Sequence, residues 1–248
     1  LAEVRSHLAN MVTEPNTFFI DWTGKLTSWV VSLAYREVVI DAGSVQRTRD
    51  AVRDHPSALL FTHKSHLDAI ALLSVLYQQD FPAPHTMAGA NIDFRGIRRS
   101  SRRSGIIFIR RSFGDAPAYK VALQQYLGFL MGKRFPFVWA FEGTRSRSGK
   151  LLAPRYGMLK YVLDAAHATD ATDLQLMPVS INYDLIGEVG EYADQELGRP
   201  KQAESLSWLL DYLRRLRSPM GRMYLDFAEP VVVEGEVHPD HEFTLRRF

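Results

Sequence analysis

Apolar residues recur at helical spacing near the start of the chain: Leu8, Met11 and Val12, then Leu26, Trp29, Val30 and Leu33. Pro15 and Asn16 interrupt the pattern between the two runs. Short apolar runs then alternate with helical patterns. Strands are predicted over residues 58–62, 85–90, 106–109, 136–141, 174–182 and a last region at 221–233. Helices are predicted over 69–79, 116–131, 157–168 and 204–216, with an arginine-rich helix or loop between the second and third strands. This alternation predicts an α/β layer fold behind an N-terminal helical lead-in that occupies residues 1–50.

With 248 residues the chain is long enough to bury a sizeable core without staples. Its 46% apolar and 23% charged residues exclude a disordered or coiled-coil protein. Cysteine is absent, which excludes disulfides, thiolate zinc sites and a cysteine nucleophile. The longest uncharged apolar stretch near the start, residues 26–35, is about half of what a membrane-spanning helix needs. No basic start followed by an apolar run marks a secretory peptide. Leu1 in place of Met, and an end at TLRRF, predict a piece of a longer polypeptide, with residues 236–248 a tail that opens a further region.

The net charge of +2 hides an asymmetry. Residues 95–111, RGIRRSSRRSGIIFIRR, hold seven arginines and no acid, so the remainder of the chain is net acidic and something anionic is expected near this segment. Nucleic acid is a poor candidate, because only Phe94 and Phe108 flank the run as stacking platforms.

In open α/β sheets ligands gather at loops after strand C-termini. Four such loops carry unusual chemistry. The first is His63-Lys64-Ser65-His66-Leu67-Asp68. If the chain turns between them, His63 can take a proton from a hydroxyl while the Asp68 carboxylate fixes its tautomer. The same residues also read as an acid at a helix start beside an incidental histidine, or more weakly as metal ligands His63, His66 and Asp68. The second loop, Gly105 to Arg111, is an apolar strand ending in two arginines. The third, Phe141-Glu142-Gly143-Thr144-Arg145-Ser146-Arg147-Ser148-Gly149-Lys150, combines glycine, small hydroxyls and cations in a way that suits phosphate. It is not a nucleotide P-loop: five residues separate its glycines and Leu151 follows Lys150. The fourth, Leu176-Met177-Pro178-Val179-Ser180-Ile181-Asn182-Tyr183-Asp184, reads by itself as a core strand.

In this order the four loops resemble the four sequence blocks of the glycerolipid acyltransferases. HKSHLD is similar to the HxxxxD block, GIIFIRR to the second, FEGTRSRSGK to the third and LMPVSINYD to the fourth. The arginine pair of GIIFIRR, and the tract EVGEYADQELGRPKQAESL at 188–206, resemble the glycerol-3-phosphate and dihydroxyacetone-phosphate branch. EGTRS is instead wording common among lysophosphatidate acyltransferases, where bacterial glycerol-3-phosphate enzymes often carry EGGRS.

The resemblance implies an α/β fold with a mixed central sheet flanked by helices, and an acyltransferase domain over 51–235. It implies glycerol-3-phosphate O-acyltransferase activity, with dihydroxyacetone phosphate or 1-acylglycerol 3-phosphate as alternative acceptors. His63 would be the general base and Asp68 its partner. Arg111, Glu142, Gly143, Arg145 and Arg147 would bind glycerol 3-phosphate, with Arg110 and Lys150 as further candidates, and Pro178 would shape the acyl-donor side. The donor would be acyl-CoA or acyl-carrier protein, with no metal and no bound cofactor. The expected location is the cytoplasmic face of the cell membrane, held peripherally on its anionic surface by arginines 95–103 and the apolar patch 29–33.

Overall fold

Pro15 and Asn16 separate two helices, α1 (Ala2–Met11) and α2 (Thr17–Ala34), the second capped by the Asn16 side chain on the Phe18 amide at 2.9 Å. The computed structural model describes residues 1–89, 98–110, 116–146, 149–169, 171, 173–190, 192, 206–218 and 220–233. Helix α2 buries Gly24, Thr27, Val30, Val31 and Ala34. At Gly24 a Cβ would lie 2.3 Å from the Tyr77 ring, so only glycine allows α2 this close to the helix carrying Tyr77. The opposite side of α2 exposes Phe18, Trp22, Leu26 and Trp29.

The helical lead-in ends at Ala34. Strand β1 (Glu37–Ile40) and helix α3 (Ala42–Asp54), which the apolar pattern did not predict, already belong to the sheet layer. Asp41 caps α3 by accepting from the Ser44 amide at 2.6 Å. There follow β2 (Ser57–Phe61), α4 (Asp68–Gln78), β3 (His85–Gly89), α5 (Arg98–Arg103), β4 (Ile106–Ile109), α6 (Pro117–Gly132) and β5 (Phe137–Ala140). The described chain continues through α7 (Tyr156–Ala168), β6 (Gln175–Tyr183), α8 (Leu206–Arg215), β7 (Arg222–Phe227) and β8 (Val231–Val232). The single strand region expected at 221–233 is thus split, with Pro230 between its halves.

The strands form one mixed sheet in the order β1-β7-β6-β2-β5-β3-β4, with β8 alongside β6. Strands β2 to β6 are mutually parallel, whereas β7 and β8 run antiparallel to β6, and β1 runs parallel to β7. All five residues of β2, SALLF, are buried, as a central parallel strand requires. Leu59, Phe61, Val138, Met177, Val179 and Ile181 face a core shared with α2 and α4. Ala58, Leu60, Phe137, Trp139 and Leu176 face the other core, under α6 and α7. Because β2 lies between β5 and β6, the C-terminal ends of all three meet at one edge, where the first, third and fourth motif loops emerge.

Candidate active site

Strand β2 ends at Phe61 and delivers His63 to that edge. The chain then turns so that Asp68, the first residue of α4, faces back toward it. His63 Nδ1 lies 3.0 Å from Asp68 Oδ2, which also accepts from the amides of Lys64 at 2.5 Å and Ser65 at 2.7 Å. Asp68 Oδ1 accepts from the Tyr183 hydroxyl at 2.5 Å. The carboxylate is fully buried, yet four donors and the amino end of α4 stabilise its charge. Such an acceptor on Nδ1 fixes the tautomer whose Nε2 carries a lone pair. The side chain of His63 remains a quarter exposed.

Tyr183 sits at the end of β6, across the site from Asp68. Burial raises its pKa first, and the Asp68 charge adds to the rise, so the phenol stays a donor at all ordinary pH. Tyr35, whose hydroxyl donates to the Leu185 carbonyl at 2.8 Å, is raised in the same way, by burial and then by the Glu188 and Asp68 charges.

The third motif loop leaves β5 and wraps the same turn. Glu142 is buried: Oε1 accepts from the His63 amide at 3.3 Å and Oε2 from the Leu152 amide at 3.2 Å. The Ser146 amide donates to the His63 carbonyl at 2.7 Å. Gly143 adopts φ +66°, and a Cβ there would stand 2.9 Å from Arg155 Cδ, so this turn requires glycine. Arg145 is brought beside the first loop. Its guanidinium donates to the Tyr192 hydroxyl at 2.6 Å and lies 5.2 Å from that ring's centroid, while Tyr192 in turn donates to the Lys64 carbonyl. Lys150 is exposed at the end of the same loop.

Arg110 is placed differently. It follows β4, the edge strand, so about 14 Å of sheet, three strand spacings, lies between it and β2. Its guanidinium sits 4.8 Å from the centroid of Tyr119. Arg111 and Arg147 lie outside the described residues. Pro178 sits in β6 opposite Leu60, exposed, where the pairing of β6 passes from β8 to β7, and its carbonyl accepts from Ala228 at 3.0 Å. Ser180 and Asn182 continue that face toward Lys64, whose ammonium donates to Asn182 Oδ1 at 2.8 Å. His66, a member of the metal-ligand alternative, packs its ring edge-on to Tyr212 instead. Among the described residues no three His, Asp or Glu side chains are grouped to hold a metal ion.

Sequence reading missed Tyr183, Glu188, Tyr192 and Tyr212 as parts of this site. Tyr183 was visible inside the fourth motif, and Glu188 and Tyr192 inside the tract that follows it; neither carried a local signal for its partner.

Comparison with known proteins identifies the family. Residues 44–182 match the acyltransferase family model, and residues 192–240 match the glycerol-3-phosphate acyltransferase C-terminal region. The chain belongs to the glycerolipid acyltransferase family. Within it, the chain falls in the glycerol-3-phosphate and dihydroxyacetone-phosphate branch. The protein named plsB1 of Mycobacterium tuberculosis is 32% identical over 231 residues, 93% of this chain and 37% of its own length. The dihydroxyacetone phosphate acyltransferase of Oryctolagus cuniculus is 35% identical over 201 residues, 79% of this chain and 29% of its own length. The chain therefore spans about a third of the length of these relatives. The 1-acyl-sn-glycerophosphate acyltransferase PlsC of Thermotoga maritima superimposes with a TM-score of 0.52 over 92% of this chain and 73% of that one. At 19% identity that likeness is one of fold.

Proposed function

We propose that the chain transfers a fatty acyl group from a thioester, acyl-CoA or acyl-carrier protein, to the 1-hydroxyl of sn-glycerol 3-phosphate. The observation that carries this reading is the His63 Nδ1–Asp68 Oδ2 hydrogen bond of 3.0 Å at the C-terminal edge of β2. His63 Nε2 takes the hydroxyl proton as the oxygen attacks the thioester carbonyl. The new C–O bond forms with a tetrahedral oxyanion, whose collapse breaks the C–S bond. The proton on Nε2 passes to the departing thiolate. The buried Asp68 carboxylate stabilises the imidazolium between these steps. No acyl-enzyme is needed, which accords with the absence of cysteine.

Arg145, with Arg111 and Arg147, is assigned to the acceptor's phosphate, and Arg110 and Lys150 to the periphery of that site. Gly143 keeps backbone close to it. Glu142, buried against the His63 and Leu152 amides, acts in this reading as a scaffold for the base. Pro178 and the exposed face after it are assigned to the acyl-donor side. Dihydroxyacetone phosphate is the second acceptor to test, supported by the likeness to the rabbit enzyme.

Lysophosphatidate partitions into membranes, so the enzyme is assigned to the cytoplasmic membrane surface. Among the described residues no helix is long and apolar enough to cross a membrane. The exposed Phe18, Trp22, Leu26 and Trp29 of α2 support peripheral contact, beside the arginines of α5. Mixing the protein with acyl-CoA and glycerol 3-phosphate tests the reading: free thiol and lysophosphatidate should appear together. Thiol release without an acylated acceptor, or acylation of dihydroxyacetone phosphate or 1-acylglycerol 3-phosphate alone, would overturn the proposed acceptor.

A further inference from the structure

The turn from His63 to Asp68 has four inner amides, and each must find an acceptor because the turn is largely buried. Asp68 accepts two of them, from Lys64 and Ser65. The other two depend on a second acid. The His66 amide donates to Glu188 Oε1 at 2.8 Å. The Leu67 amide donates to Ser65 Oγ at 3.1 Å, and that hydroxyl donates to Glu188, 2.9 and 3.1 Å from its two oxygens. Glu188 comes from the segment after β6, more than 120 residues further along the chain than the turn. It is completely buried, and Tyr212 of α8 donates to it at 3.0 Å.

We propose that Glu188 is a positioning residue for the base: it fixes the His63–Asp68 turn through the Ser65 hydroxyl and the His66 amide, donors that Asp68 does not take, and so holds the imidazole in line for proton transfer. A buried carboxylate is costly, and among the described residues its hydrogen-bond donors are neutral. A glutamine would fill the same space without the charge. Ser65, His66 and Tyr212 all donate to Oε1, however, and a neutral carbonyl in its place would hold these three donors without the charge assistance a carboxylate gives, while an NH2 in place of Oε2 would stand against the Ser65 hydroxyl. The acid is needed because three donors converge on one of its oxygens. The turn it holds is the one whose shape sets the His63–Asp68 distance. Glu188 touches no reacting atom in this scheme; it acts through Ser65 and His66.

This inference rests on His63 being the base, and the test separates the two. In Glu188→Gln, kcat for thiol release should fall about tenfold to a hundredfold, the scale of a misplaced catalytic group. KM for both substrates should stay within about twofold, because neither is contacted. The low-field proton resonance of His63 Nδ1–H, identified by its loss in His63→Gln, should broaden or shift. Tyr212→Phe, which leaves the turn's own atoms in place, should act in the same direction by less. A folded Glu188→Gln variant with unchanged kcat and an unchanged resonance would overturn the proposal. So would a loss of activity matched by loss of folded protein, with the resonance intact in what remains. If His63→Ala keeps full activity, the assignment of the base fails, while the resonance still judges whether Glu188 positions the ring.

Discussion

Arg145 is clasped by Tyr192 in two ways: its guanidinium donates to the phenol oxygen at 2.6 Å and lies 5.2 Å from the ring centroid. Because Tyr192 also donates to the Lys64 carbonyl, the cation is tethered to the turn that carries His63. Burial raises the Tyr192 pKa, and nearby acids add to the rise, against the pull of Arg145. The phenol therefore keeps its hydrogen for Lys64.

Arg145→Ala should weaken apparent glycerol 3-phosphate affinity about tenfold to a hundredfold, the equivalent of one hydrogen bond to a charged group. Arg145→Lys should recover little of this, since an ammonium offers neither the fork nor the stacking plane. Initial rates against each substrate decide the matter. Losses confined to the acyl thioester would move Arg145 to the donor site.

Replacing the proposed catalytic pair, His63 and Asp68, should separate chemistry from folding. His63→Ala should lower turnover by at least about 10²–10⁴-fold and leave the melting temperature nearly unchanged. Asp68→Ala should lose turnover and also about 2–4 kcal/mol of stability, because three inward donors and a tyrosine hydroxyl lose their acceptor. Denaturant titration beside the kinetic assay would reveal whether the two variants differ in this way.

Membrane contact through α2 should depend on aromatic side chains more than on charge. Trp22 and Trp29 are each 51% exposed on the same side of the helix, whereas Arg102 of α5 already donates to the Ala9 and Val12 carbonyls. Trp22→Ser with Trp29→Ser should reduce sedimentation with vesicles of mixed neutral and anionic lipid. Arg99→Gln should reduce it less, and added salt should mimic only the second change. Binding abolished by salt alone would assign attachment to the arginines.

Acid should destabilise the protein through His85 before the carboxylates titrate. This imidazole is 2% exposed, packed 4.9 Å from the Phe135 ring centroid, and burial lowers its pKa from 6.5 to about 4. In the unfolded chain it takes up a proton as pH falls through 6.5; in the folded protein it stays neutral until about 4. The unfolded state binds more protons in that window, so about 2 kcal/mol of stability should disappear between roughly pH 7.5 and pH 5. His85→Leu should flatten that part of the stability profile, and an unchanged slope would assign it to other groups.

The readable and unreadable parts of the molecule differ by distance along the chain. The His63–Asp68 pair was legible because both residues lie in one six-residue turn. Strand β1 was not, since EVVI is four residues long and sits at the sheet edge. Helix α3 escaped because its buried face holds two small polar residues, Ser44 and Thr48, beside Val45 and Val52. The place of the second motif was not legible either: β4 is the edge strand, and sequence order does not show that β5 and β3 stand between it and β2. Glu188 and Tyr212 were invisible because their partners in the turn lie far away in sequence and are met only after the sheet has closed.

The placement of β7 has a consequence for protein engineering. It lies between β6 and β1, hydrogen-bonded to both, so the C-terminal region is woven into the sheet instead of appended to it. A chimera that exchanged residues 44–182 alone, between two members of the branch, would import the motif loops while keeping a foreign neighbour for β6 and a foreign partner, Glu188, for the His63–Asp68 turn. Swapping substrate preference should therefore require both regions to travel together.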